Sequence, residues 1–176
     1  MAKKKTTRRK TKPTYLREVE IKFKKKRVSG QSPVTRALTR PDLVVELFRD
    51  LQNEGKEKLI VISLDAKMKI IAFEVVSIGS PKAIYAQPGE CTRTPIMVAA
   101  TGMIVIHNHP SGDPEPSDED KDFTWHLTAA CVTLGIPLYD HIIIGDDDFY
   151  SFAQDGWIER FQAKAEKQII GQRPKR

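Results

Sequence analysis

Two histidines one residue apart, His107 and His109, precede a loop punctuated by Pro110, Gly112, Pro114 and Pro116, and then Ser117 and Asp120. An apolar stretch, Met103–Ile106, runs straight into the first histidine and reads as a buried strand. Side chains alternate along a strand, so His107 and His109 face one side while Asn108 faces the other. Two imidazoles therefore converge. The proline-rich loop ends where Ser117 can cap a helix, which places Asp120 in that helix's first turn and within reach of the histidines. Two neutral imidazoles and one carboxylate suit zinc with a fourth position left to water, the pattern of a catalytic rather than a structural site. The same Ser117-x-x-Asp120 spacing also fits a capping box, in which serine and acid satisfy each other's backbone groups. Spacing alone leaves both readings open.

The elements around this segment follow from periodicity. Pro41 with Leu43, Val44, Leu47, Phe48 and Leu51 on one face predicts an amphipathic helix that stops near Asn53 and Gly55. Leu59–Leu64 is a continuous apolar run and Ile70–Ile78 a β-branched one, joined by a polar turn at residues 65–67, which predicts a hairpin. Pro88 opens a second helical window, where the interior Pro95 removes a backbone hydrogen bond and predicts a kink or a late start. Ser117 to about Leu134 is a long helix closed by Gly135 and Pro137. Leu138–Ile144 and Phe149–Phe152 are strands around an acidic turn, and a short helix begins at Trp157. Strands that partly alternate with helices and partly pair as hairpins predict an α/β or α+β fold, a mixed sheet covered by helices.

The chain has 176 residues and a formal charge of +6, unevenly placed. Residues 1–40 hold 15 Lys and Arg against 2 acids, a net +13, whereas residues 41–176 hold 14 against 21, a net −7. The basic character thus belongs to the leader. Residues 1–30 are expected to be a disordered polycation with an edge strand starting from Tyr15, able to contact nucleic acid non-specifically. Residues 31–155 are expected to form the main domain and 156–176 a C-terminal helix and tail. The longest apolar stretch, Pro95–Ile106, is shorter than the roughly 20 residues a membrane span needs. Cys91 and Cys131 form no C-x-x-C pair and suit a reducing cytoplasm. Neither Asp146–Asp148 nor His126 has a ligand pattern around it, so both read as surface features.

The string H-x-H-P-x(6)-S-x-x-D resembles the signature of JAMM (MPN+) zinc metalloproteases, and HNHPSGDPEPSDED followed by LGIPLYDHIIIG resembles the RadC-like branch, from about Leu59 to Phe152. The resemblance implies a cytidine-deaminase-like JAMM/MPN architecture. It also implies a short form without the helical region usual at the N-terminus of that branch. By the same resemblance His107, His109 and Asp120 bind one Zn2+ per chain, and Ser117 helps polarise the scissile carbonyl. Glu74 is the acid/base, with Glu90 its rival, and the substrate is a peptide or protein cut at a peptide or isopeptide bond. A non-catalytic or DNA-associated module is the alternative it leaves. Asp140 and His141 recur together in that branch, and because strand neighbours face opposite ways, they cannot both serve the metal directly and are expected to have a structural or supporting role.

Overall fold

The apolar run at 59–64 needs cover on both faces, and it receives it. In the computed structural model, which describes residues 35–79 and 86–171, this run lies in β1 (Lys58–Leu64), where Leu59–Leu64 are all buried. β1 pairs antiparallel with β2 (Ile70–Ile78) on one side and with β3 (Gly102–Asn108) on the other. β3 pairs parallel with β4 (Leu138–Ile144), and β4 antiparallel with β5 (Phe149–Ser151), giving the order β2-β1-β3-β4-β5. The hairpin turn between β1 and β2 is held by Asp65, whose Oδ1 accepts from the backbone N–H groups of Lys67 and Lys69 at 2.8 and 2.9 Å.

Helices cover both faces. α1 (Pro41–Phe48) continues into a 3-10 turn, Arg49–Asn53, and packs Val44, Val45 and Leu51 against Ile60, Ile62, Ile104, Ile142 and Ile144. On the other face α2 (Pro88–Met97), α3 (Asp118–Leu134) and α4 (Trp157–Gly171) bury Leu59, Val61, Met103, Val105, Leu127, Ile143 and Phe152. α3 is also the crossover that lets β3 and β4 run parallel. The chain is the mixed, helix-flanked α+β sheet that its periodicity predicts. No helix among the described residues is long and apolar enough to cross a membrane.

Three local expectations need correction. β3 continues past Ile106 to Asn108, because His107 and Asn108 still find backbone partners on β4 while His107 also faces Leu59 of β1. β5 stops at Ser151. Of the two outcomes expected at Pro95, the late start does not occur: α2 starts at Pro88, runs through the buried Pro95 and ends two residues later; Ala99 then turns with φ 52°, and the Ala100 N–H reaches back to the Pro95 carbonyl at 2.9 Å. The basic leader, its strand from Tyr15 and the chain end beyond Gly171 lie outside the described residues.

Candidate metal centre

The end of β3 and the start of α3 bring His107, His109 and Asp120 together, with one ligand atom from each lying within 4.8 Å of the others. His107 Nε2 stands 3.3 Å from Asp120 Oδ1, and His109 Nε2 stands 3.4 Å from Asp120 Oδ2. The two structures that Ser117 and Asp120 could form prove compatible. Ser117 Oγ accepts from the Asp120 backbone N–H at 3.1 Å, and Asp120 Oδ2 accepts from the Ser117 N–H at 2.9 Å and from its hydroxyl at 2.5 Å. One carboxylate therefore closes the capping box and faces both histidines. Ser117 remains exposed at the rim.

The intervening loop is braced from the end of β4. The His109 N–H donates to the Ile144 carbonyl at 2.9 Å, and the Asp146 N–H donates to the Gly112 carbonyl at 2.8 Å. Gly112 has φ +83°, and a Cβ on Gly145 would come within 2.3 Å of the Gly112 carbonyl oxygen. Both glycines are required there, one by its dihedral and one by the close approach. The acidic turn thus supports the loop.

Proton placement favours a cation at the centre. His109 Nδ1 lies 2.8 Å from the Asp113 carbonyl, which can only accept, so the proton sits on Nδ1 and the neutral ring carries its lone pair on Nε2. Burial presses His107 toward its neutral form and outweighs the pull of Asp120. Burial also works against charge on His109, but Asp120, the Asp113 carbonyl and Glu57 together hold its pKa above the ordinary value. Asp120 is buried too, yet the two imidazoles and the Ser117 hydroxyl keep it ionised well below the usual carboxylate range. His107 Nε2 is buried and has no hydrogen-bond partner. An orphaned nitrogen aimed at a carboxylate oxygen, in a site of two imidazoles and one carboxylate, fits zinc.

Glu74 stands apart from this cluster. One carboxylate oxygen accepts from Arg93 at 3.0 Å and the other from the Thr94 hydroxyl, so the side chain is committed to α2. Its rival Glu90 is likewise committed, accepting from the Gln87 N–H in the capping box of α2 at 2.9 Å. The carboxylate that senses the centre is Glu57, which the sequence reading missed. It is 7% exposed, and its pKa is raised chiefly by burial, with His109 lowering it and Asp120 raising it. Leu59 lies opposite His107 in the β1–β3 register, and Glu57, two residues earlier, occupies the next same-face position toward the site. Asn108 secures that approach: its Oδ1 accepts from the Lys58 N–H at 2.9 Å, and its Nδ2 donates to the Glu54 and Lys56 carbonyls at 3.2 Å each. Between two histidines that face the site, the asparagine ties down the segment bearing Glu57. An acid just before a buried apolar run was the available signal, and it reads as an ordinary strand entry.

Asp140 and His141 diverge as strand neighbours must. Asp140 accepts from Ser151 Oγ at 2.6 Å and the Ala153 N–H at 2.9 Å, away from the centre. His141 is fully buried behind His107, with Nε2 2.9 Å from His107 Nδ1, and burial holds its pKa well below the ordinary value. His126 is exposed beside Asp122, and both cysteines are buried with thiol pKa values pushed up to about 12 by burial.

Comparison with known proteins places the chain in a family. The family described as RadC-like JAB domain matches residues 38–157. A UPF0758 protein of Aquifex aeolicus is 33% identical over 136 residues, which cover 77% of this chain and 58% of that protein. One from Methanosarcina mazei is 37% identical over 129 residues, covering 73% and 56%. Another from Protochlamydia amoebophila is 44% identical over 108 residues, covering 61% and 47%. The chain spans little more than half the length of the first two of these relatives.

Proposed function

The chain belongs to the RadC-like JAB domain family, and from that premise we propose that it is a zinc metallopeptidase that hydrolyses a peptide or isopeptide bond. The observation that carries the reading is the convergence of His107 Nε2, His109 Nε2 and the Asp120 carboxylate, in which the buried His107 Nε2 makes no hydrogen bond and faces Asp120 Oδ1 at 3.3 Å. His107, His109 and Asp120 would hold the ion. When bound, zinc supplies Lewis-acid chemistry, bringing the pKa of a water to about 7 and polarising a carbonyl. Glu57 is assigned the acid/base role in place of Glu74: its raised pKa suits a carboxylate that takes a proton from the attacking water and passes it to the leaving amine. Ser117, exposed on the rim at the α3 N-cap, is assigned to hold the carbonyl oxygen of the scissile bond, its hydroxyl turning from Asp120 Oδ2 to donate to that oxygen. The Arg93 and Thr94 contacts leave Glu74 a structural role, tying β2 to α2.

The test is cleavage of a peptide and isopeptide library by the zinc-loaded chain, with products read by mass spectrometry. Hydrolysis that disappears in Glu57→Gln while zinc stays bound supports the assignment. Undiminished hydrolysis in that variant refutes the role of Glu57, and failure of the wild type to take up zinc refutes the whole reading.

The net +13 of residues 1–40 favours a second reading, a non-catalytic module that associates with DNA through its leader. Under it, DNA binding has a steep salt dependence that vanishes when residues 1–30 are removed, and the purified chain is free of metal.

A further inference from the structure

Behind His107 runs a buried line of polar atoms. His107 Nδ1 lies 2.9 Å from His141 Nε2, His141 Nδ1 lies 2.6 Å from Thr124 Oγ1, and Thr124 Oγ1 lies 2.5 Å from the Asp120 backbone carbonyl, one turn earlier in α3. His107, Thr124 and His141 are each 0% exposed. His141 stacks on Phe152 with ring centroids 4.8 Å apart and planes 6° apart, and Phe123 meets it edge-on. The imidazole is thus fixed between its two polar neighbours.

Each neutral imidazole carries one ring proton, and two proton orders satisfy this line. In the first, Thr124 donates to the Asp120 carbonyl, which can only accept, and so accepts from His141 Nδ1–H. His141 Nε2 is then bare and accepts from His107 Nδ1–H, which leaves a lone pair on His107 Nε2. In the second, the Thr124 hydroxyl turns to donate to His141 Nδ1, His141 Nε2–H donates to His107 Nδ1, and His107 Nε2 carries a proton that blocks ligation. No heavy atom moves between the two. The first order sets a bare nitrogen 3.3 Å from Asp120 Oδ1, an arrangement that calls for a cation between them.

We propose that Thr124 and His141 are positioning residues for the metal: the threonine hydroxyl, by accepting from His141 while donating to the Asp120 carbonyl, sustains the order that presents His107 Nε2 as a ligand. The inference rests on the metal-site reading above. Valine at position 124 keeps the shape and removes the hydroxyl. It leaves a buried N–H of His141 unpaired in the first order but only a bare nitrogen in the second, and an orphaned buried donor is the more heavily penalised. Thr124→Val therefore acts against the metal-competent order specifically, whereas Thr124→Ser retains it.

The test combines zinc affinity, measured by chelator competition on the full chain and both variants, with 15N NMR of the histidine rings in the zinc-loaded wild type. The expected affinity is roughly 10- to 100-fold weaker in Thr124→Val and within about threefold of wild type in Thr124→Ser. The expected spectrum shows a neutral His141 with its proton on Nδ1. Equal affinity in Thr124→Val, an equal loss in both variants, or a zinc-loaded His141 protonated on Nε2 overturns the inference while leaving the metal site in place. Failure of the wild type to bind zinc overturns both.

Discussion

Asp140 offers a quantitative test of how β4 is held next to His141. The carboxylate is 6% exposed, and although Ser151 and the Ala153 N–H stabilise its charge, burial dominates and raises its pKa from 3.8 to about 6. A carboxyl whose folded pKa is raised contributes fully below its unfolded pKa and loses that contribution as pH rises through the folded value. Between pH 3.8 and about 6 the unfolded chain ionises first, so stability falls by about 1.4 kcal/mol per pH unit, a total of roughly 3 kcal/mol, and then levels off. Asp140→Asn keeps the shape and removes the titration; its amide oxygen accepts from Ala153, and the Ser151 hydroxyl turns to accept from its NH2. The assay is denaturant unfolding of both proteins at intervals from pH 4 to 8. Groups common to both, such as Glu57 and the histidines, cancel in the difference. The stability of the variant relative to wild type is expected to climb by roughly 2.4 kcal/mol between pH 4 and 7. A flat difference across that range would refute the argument that burial governs Asp140.

Other perturbations separate the roles around the centre. Glu57→Gln is expected to lower hydrolysis about 100- to 10,000-fold with zinc retained. Glu74→Gln, which removes only a partly exposed pair with Arg93, should change stability by less than about 1 kcal/mol and leave turnover within a few-fold, as steady-state rates and unfolding curves will show. Ser117→Ala deletes the acceptor of the Asp120 N–H and should cost about 0.5–2 kcal/mol in the metal-free protein, measured by thermal unfolding. Gly145→Ala forces a Cβ against the Gly112 carbonyl and Pro114, so a loss of about 1–3 kcal/mol together with weaker zinc binding is expected from melting and chelator competition.

Much of the fold could be read from period and punctuation. The β1–β2 hairpin, the Ser117 and Gly135 limits of α3, and β4 follow from local patterns, and the structure places them over nearly the predicted residues. The pairing of two strand-end histidines with a first-turn acid was legible because strand alternation and helix capping are both short-range rules. What escaped depends on contacts between distant segments. β3 extends to Asn108 only because strands on either side supply partners. Glu57 becomes conspicuous once the register sets Leu59 opposite His107 and Asn108 anchors the preceding segment, 50 or more residues away in the chain. Glu74 occupies a strand position that looks unusual for an acid until Arg93 and Thr94 arrive from α2. His141, 34 residues from His107, shows its contact only when β4 lies parallel to β3.

X-ray absorption at the zinc edge of the purified, zinc-dialysed chain tests the central claim most directly. One zinc per chain is expected, with two imidazole nitrogens at about 2.0–2.1 Å and a carboxylate oxygen at about 2.0–2.2 Å, and with the signal lost in His107→Ala and His109→Ala variants that remain folded by circular dichroism. A wild-type chain without zinc, or zinc whose coordination shell holds no histidine and persists in both variants, would contradict it.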